Sequence, residues 1–508
     1  MRAVFRLYQS RLLTPGGLFF LFGSFLRDGT NLMAVLRYSS KMFPERIGVK
    51  DDFKELTFAE MYQQATVLAD HFQINFNIGQ GTRVALICRN SHYQMLSVFA
   101  FSRLGADVYF LNVEMSAEQF STLHENYNFE FVLADDDLMF LIGKHNFSGS
   151  CLSVLQLDGF LQKPFPHPVK RIKSKKGKLI SLTGGTTGGF KVAVRNRSAF
   201  GFFRPFVALL STLQLYKYRT AYIATPVYHG YGEGAVYMSV IMGLKTLFTS
   251  RFEAKNACRI AEENGVEVLV VVPLMLKRMV DVSPERLKSL RCIVSGGAAI
   301  DLQTVKNVQE HLGDVLFNLY GTTEAGFALM ATPDDLRKFP DTIGKEVSGV
   351  KIRLLENQRT IQDANVAGQI SITSRWSVHP GGKNWIDSGD LGFRNDHGLY
   401  FLCGRSDDMI ISGGENIYPV VVEKVLVTHR AINEVSVIGI PDKEFGQRLK
   451  AFVVVRTGSS LTEAELREWL KPKVARFQMP GEIEFRKELP YTALGKPDKR
   501  KLRQEMAG

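Results

Sequence analysis

Leu179-Ile180-Ser181-Leu182-Thr183-Gly184-Gly185-Thr186-Thr187-Gly188-Gly189-Phe190-Lys191 passes from a short apolar run, the texture of a buried strand, into a loop of glycines and threonines closed by a lysine. Glycine lets successive backbone N–H groups turn toward one point, threonine hydroxyls add donors and lysine adds charge. The stretch therefore reads as a cradle for phosphate. No Gly-Lys-Ser/Thr stands at Walker spacing, which disfavours the P-loop nucleotidase fold. Alone, such a turn is as often an ordinary loop, so its surroundings must decide.

Outward from this loop the chain alternates. Thr57-Phe58-Ala59-Glu60 has capping-box spacing, and Phe58, Met61, Tyr62, Ala65, Leu68 and Phe72 recur at helical intervals, which predicts a core-facing helix. Beyond the break Gly79-Gln80-Gly81, the run Val84-Ala85-Leu86-Ile87-Cys88 predicts a buried strand. The pattern returns at Glu267–Pro273 and Leu290–Ser295, so the layers are α/β with largely parallel sheets. Near Gly404 the texture changes: Asp407-Asp408 and Gly413-Gly414 precede a new helix from about Val420 and a strand at Val435-Ser436-Val437-Ile438. The last hundred or so residues read as a separate small unit. At 508 residues the chain exceeds what one core sustains, so several domains are expected.

Further motifs carry chemistry. Asn318-Leu319-Tyr320-Gly321-Thr322-Thr323-Glu324 joins an aromatic ring, hydroxyls and a carboxylate; hydroxyls suit phosphate oxygens, and a hard carboxylate suits a cation that bridges phosphates. Ser295-Gly296-Gly297-Ala298 ends a predicted strand in small residues, and Asp387-Ser388-Gly389-Asp390 and Gly404-Arg405-Ser406-Asp407-Asp408 follow. Ala493-Leu494-Gly495-Lys496 stands near the end. Singly, each has a plain reading, since an acid in a loop is usually solvated and a tail lysine almost always is. In order and spacing, from Thr183 to Lys496, the set resembles the adenylate-forming (AMP-binding) superfamily, and within it the acyl-CoA synthetases and fatty-acid–CoA ligases.

The resemblance implies roles. Thr183, Gly185, Thr186, Thr187, Gly188 and Lys191 would form the phosphate loop. Gly296, Gly297 and Ala298 would let adenine approach the backbone, with Tyr320 packed on the base beside Gly321. Thr323 would hold the α-phosphate, Glu324 would bind Mg²⁺, Asp390 would accept from both ribose hydroxyls and Arg405 would contact ribose and phosphate. Lys496 would stabilise the charge that develops as a carboxylate attacks the α-phosphate and pyrophosphate departs, so that Lys496, Thr323 and Glu324 form the catalytic set. A thiol would then displace AMP. Between the steps a small domain would turn about Asp407, bringing first Lys496 and then the Gly413-Gly414 hairpin to the site. The implied fold class is α/β: an apolar and basic segment over 1–45, a large multi-subdomain domain with layered α/β sheets over 46–404, and a small mobile α+β domain over 405–508. ATP, Mg²⁺ and CoA are the implied cofactors, with a carrier-protein phosphopantetheine as the alternative acceptor.

Pro226-Val227-Tyr228-His229-Gly230-Tyr231 resembles the segment lining the acyl pocket of CoA ligases, which places Tyr228, His229 and Tyr231 there. Amino-acid-activating members have an aspartate where this chain has His229, so an amine-free carboxylic acid is implied; a ligand-free core histidine is the plainer alternative. Gly230, Gly232 and Gly234 leave room for a long or flat acid. The phosphate loop departs from the family at Gly184, Phe190 and Val192, where Ser, Pro and Gly are usual. Those changes raise a third reading, a nucleotide-binding protein that has lost catalysis, against which Glu324, Asp390, Arg405 and Lys496 all speak.

A formal charge of +12 favours anionic ligands or partners, including nucleotides, CoA and an acidic carrier protein, but no basic and aromatic stripe points to nucleic acid. Five scattered cysteines without a CxxC pair fit a reducing, cytoplasmic compartment and argue against structural zinc. Arg2, Arg6 and Arg11 precede the apolar run Leu18–Leu26, whose nine residues are too few to span a bilayer, where about twenty are needed. Two readings stand open for it: an interfacial segment in peripheral membrane contact, or an amphipathic helix packed on its own domain. The first would favour a fatty acid.

Overall fold

The computed structural model describes residues 8–9, 11–143, 147–165, 169, 177–184, 190–194, 199–356, 358–374, 385–412, 415–492 and 495–507, with the backbone alone at 183–184, 190–194, 199–205, 415–416 and 507. Two sheets organise the large domain. The first runs Ser150–Ser153, Phe131–Ala134, Arg83–Ile87, Asp107–Phe110, Leu179–Gly184, Phe190–Val194, parallel except for its last pair, where Thr183 stands opposite Lys191 and Gly184 opposite Phe190. The second has a parallel half, ordered Ile47–Lys50, Lys245–Leu247, Thr220–Ile223, Val268–Val271, Cys292–Gly296, Leu316–Thr322. The central strands Phe131–Ala134, Val268–Val271 and Cys292–Gly296 are buried along their whole length, and their largely apolar runs are what burial on both faces requires. The helix Phe58–Phe76 begins at the expected capping box: Thr57 Oγ1 accepts from Glu60 N at 3.2 Å, and Thr57 N donates to Glu60 Oε2 at 2.7 Å.

The other half of the second sheet is antiparallel, a departure from the expectation of largely parallel sheets. Thr342–Glu346 joins the halves: its end pairs with Gly326–Ala331 and its start with Tyr400–Arg405. Ile386–Arg394, Gly368–Ser374 and Val350–Glu356 continue the order. Charged positions such as Lys351, Arg353 and Asp387 interrupt these strands, which therefore lack the apolar continuity that marks the parallel ones.

At the amino terminus, Pro15–Asp28 forms a helix capped by Thr14, whose Oγ1 accepts from Gly17 N at 3.1 Å. The next helix, Leu32–Met42, is seated in the main core through Met33, Leu36 and Tyr38, all fully buried, and its Ser39 hydroxyl donates at 2.7 Å to Val240 O of the helix Gly230–Met242. Among the described residues no helix is long and apolar enough to cross a membrane.

The small unit packs the strands Ile432–Asp442, Gly446–Val455 and Glu482–Arg486 against the helices Pro419–Leu426 and Glu463–Leu470, around Val422, Leu426, Val437, Leu449 and Leu466. It touches the large domain where Lys277 Nζ donates to Asn433 O at 2.9 Å and Oδ1 at 3.1 Å, and where Arg278 lies over the Tyr491 ring.

Candidate functional site

Adjacent parallel strands bring the first groups together. Cys292–Gly296 and Leu316–Thr322 run side by side, so their carboxyl ends deliver Gly296, Gly297 and Ala298 next to Tyr320, Gly321, Thr323 and Glu324 at one edge, where open α/β sheets take their ligands. A methyl on Gly296 would come within 3.2 Å of Leu319 O and 3.3 Å of the Tyr231 ring, a tight fit that its neighbours would have to relieve, so glycine keeps this wall flat.

Antiparallel register supplies the second set. Asp390 and Arg405 are cross-strand partners, which puts carboxylate and guanidinium on one face. Arg405 Nη1 donates to Asp390 Oδ1 at 3.2 Å, and Tyr320 Oη donates to Asp390 Oδ2 at 2.6 Å. The Ser388 hydroxyl donates to Ile370 O at 2.8 Å and accepts from Asp390 N at 3.0 Å. Burial raises the Asp390 carboxyl above its ordinary range, with Tyr320 and Arg405 pulling the other way. Arg405 also grips Asp407, Nε to Oδ1 at 2.7 Å and Nη2 to Oδ2 at 3.0 Å, and that carboxylate is the main reason its own pKa is raised. Gly389 between them has φ +77°, and an added Cβ would lie 2.8 Å from Arg405 Nη2.

Lys496 arrives from the small unit on a tight turn in which Thr492 N donates to Lys496 O at 2.8 Å and Lys496 N to Thr492 Oγ1 at 3.2 Å. Its side chain reaches solvent within the cleft, yet surrounding protein lowers its pKa by desolvation; Asp390 opposes that shift and Arg405 adds to it. His229, ahead of the helix Gly230–Met242, has a buried Nε2 that finds no hydrogen-bond partner among the described residues. Burial first, then Lys496, brings its pKa down to about 4, so the imidazole is neutral.

These groups line a single cavity of about 2420 Å³. It holds Gly296, Gly297, Ala298, Tyr320, Gly321, Thr323, Glu324, Asp390, Arg405 and Lys496, with His229 and Tyr231 farther along. Tyr231 presents its ring and spends its hydroxyl on Val294 O at 2.8 Å. Tyr228 is packed in the core and stands outside the described lining. Gly185, Thr186, Thr187 and Gly188 of the phosphate loop and the Gly413-Gly414 turn fall outside the described residues, and Thr183 and Lys191 are placed by backbone only.

Among the described residues no three His, Cys, Asp or Glu side chains gather as a metal cage. Mg²⁺ does not need one, since it commonly binds one or two carboxylates and completes its shell with water and substrate phosphates, and Glu324 on the cavity wall fits that use. Adenosine fits the flat wall at Gly296 and the paired acceptors of Asp390. Sequence reasoning did not find the far end of the cavity. There Leu21, Phe22 and Phe25 of the first helix, Leu32 and Val35 of the second, Phe206, Leu209 and Leu213 of Ala199–Leu213, and Ala235, Met238 and Ile241 of Gly230–Met242 form the wall. Apolar periodicity was their only signal, and it marks core equally well.

Fold and site together define an adenylate-forming enzyme of the acid–thiol ligase type. The chain belongs to the AMP-binding enzyme family, whose model matches residues 36–381, and the AMP-binding enzyme C-terminal domain matches residues 421–496. Among curated relatives, the 2-succinylbenzoate–CoA ligase of Bacillus licheniformis is 28% identical over 483 residues, covering 92% of this chain and 98% of its own. That of Geobacillus kaustophilus is 28% identical over 487 residues, with 92% and 97% covered. Among solved structures, o-succinylbenzoate CoA synthetase from Bacillus subtilis in complex with its acyl-adenylate intermediate superposes with a TM-score of 0.81 at 23% identity, covering 92% of this chain and 97% of that one. The anthranilate CoA ligase in complex with anthranoyl-AMP gives a TM-score of 0.84 at 21% identity, with 94% and 97% covered. At those identities the structures show the fold.

Proposed function

We propose that the protein activates an apolar, amine-free monocarboxylic acid, a fatty acid by preference, as its acyl-adenylate and passes the acyl group to CoA. The observation that carries this reading is the far end of the cavity. The wall residues contributed by the four helices Pro15–Asp28, Leu32–Met42, Ala199–Leu213 and Gly230–Met242 include no charged group among the described side chains. The last of these helices spans about 20 Å from His229 outward, which leaves depth for a long chain.

In the first step the acid's carboxylate attacks the α-phosphate of ATP; the new O–P bond forms as the α–β phosphoanhydride bond breaks, and pyrophosphate leaves with the electron pair. Asp390 fixes the ribose, Arg405 and Lys496 offset the charge on the phosphate oxygens, and Thr323 donates to it. Glu324 would hold Mg²⁺, which would supply neutralisation of phosphate charge. The protein packed around Lys496 partly desolvates it and strengthens its field at the reacting phosphorus, because less water screens it. His229, neutral and with a free nitrogen, stands where the acyl group leaves the phosphate region and can position it. For the second step the small unit turns about Asp407, and AMP leaves as the thiol attacks.

The relatives' names favour a second reading, an aryl acid. 2-Succinylbenzoate bears two carboxylates, however, and the one not activated would face this uncharged wall at a cost of several kcal/mol. Their names also favour CoA over a carrier pantetheine. The experiment is pyrophosphate release with saturated fatty acids of graded length, aryl acids and 2-succinylbenzoate, with and without CoA. The expected result is highest kcat/KM for a long saturated acid and thioester formed on free CoA. Preference for 2-succinylbenzoate would overturn the substrate, and transfer only to a carrier would overturn the acceptor.

A further inference from the structure

The helix Pro15–Asp28 has two apolar sides. Leu21, Phe22 and Phe25 line the cavity, while Phe19, Phe22 and Leu26 are 74%, 66% and 69% exposed and Leu18 is 47% exposed. Phe22 belongs to both sets, so the apolar wall continues onto the outer face of the helix without a polar break. A ridge of large apolar side chains open to solvent on one helix marks a contact surface.

Among the described residues, the exposed charges of this helix and of the turn leading into it are basic. Arg11 and Arg27 are exposed near its two ends, and Arg2 and Arg6 precede it in the sequence. The helix carries one acid, Asp28, and it is turned inward: its side chain is fully buried, with the Tyr62 hydroxyl at 3.1 Å and Arg37 Nε at 3.8 Å. With 14 residues the helix is too short to span a bilayer. An apolar ridge, cationic flanks and no exposed acid suit a helix lying in the plane of an anionic lipid surface.

We propose that Pro15–Asp28 docks on an anionic bilayer and that the acid passes from the bilayer into the cavity beside Phe22. The docking stands on the helix alone; the passage rests on the reading of the substrate as an apolar acid. A second copy of this chain is the competing occupant of the ridge.

The test uses the full chain and vesicles of phosphatidylcholine with about 30 mol % phosphatidylglycerol. Wild-type protein should co-sediment with them, and roughly tenfold less with pure phosphatidylcholine or at high salt. Phe19→Glu combined with Leu26→Glu, neither residue on the cavity wall, should reduce vesicle binding by about tenfold or more. Pyrophosphate release with soluble octanoate should stay at the wild-type rate, which also reports folding; should the pair fail that check, Phe19→Ser alone replaces it. Release with palmitate held in vesicles should fall, and with palmitate in detergent should not. Wild-type protein that ignores vesicles, or a variant that binds them undiminished, overturns the docking. A dimer that the variant converts to monomers without change in vesicle binding assigns the ridge to a second copy and overturns it too. Vesicle binding with no effect on vesicle-held palmitate overturns the passage. No pyrophosphate with any acid defeats the substrate reading, and sedimentation still decides the docking.

Discussion

Asp390 is held by a phenol on one oxygen and a guanidinium on the other, and Lys496 comes within electrostatic reach of it from a separate unit of the chain. The role proposed for a lysine so placed belongs to the step in which negative charge grows on the phosphate. Lys496→Ala is expected to lower acid-dependent pyrophosphate release by about 10²–10³-fold, while the reaction of supplied acyl-AMP with CoA stays largely intact. Equal loss in both half-reactions would refute the assignment. His229 offers a pH test. Its folded pKa, about 4, lies below the ordinary 6.5, so the unfolded chain binds a proton near pH 6.5 that the folded chain refuses. The group therefore costs stability progressively as the pH falls from 6.5 toward 4 and nothing above that window. By NMR, its imidazole should show no titration above about pH 5, and a midpoint near 6.5 would contradict its burial.

The strand Ile386–Arg394 shows what one position can do to an element. Gly389→Ala must hold φ +77° with a β-carbon and push Arg405 aside, so it should destabilise the fold by about 1–2 kcal/mol in urea unfolding and raise KM for ATP. An unchanged KM would mean that Arg405 does not need its present position. This strand also marks the limit of what could be read beforehand. Val268–Val271 and Cys292–Gly296 were legible because a two-sided buried strand is a continuous apolar run, and Phe58–Phe76 because its capping box and periodicity agree. Asp390 and Arg405 were legible as motif residues, but not as cross-strand partners, since register depends on pairing that no local pattern encodes. The bond from Tyr320 to Asp390 crosses 70 residues and was equally hidden. Tyr228 illustrates the converse: next to His229 in sequence, it packs into the core.

Across the whole molecule, the arrangement is held by contacts that reach from the small unit to the large domain, Lys424 Nζ to Leu402 O at 2.8 Å among them. Lys277 donates to Asn433, and the turn bearing Lys496 lies in the same cleft. Lys277→Ala should remove about 1 kcal/mol from this arrangement and slow adenylate formation roughly fivefold, with thiol transfer from supplied acyl-AMP unaffected. Slowing of both halves would show that the contact serves stability alone. The contact between Lys277 and Asn433 also has a stoichiometric consequence. On the proposal that the small unit makes the adenylate where it now sits and turns about Asp407 before the thiol attacks, a bifunctional cross-link that fixed it there would leave each chain able to make one adenylate and unable to hand it on. Such a molecule would release a single equivalent of pyrophosphate and then fall silent, a reagent consumed in use where the free chain turns over.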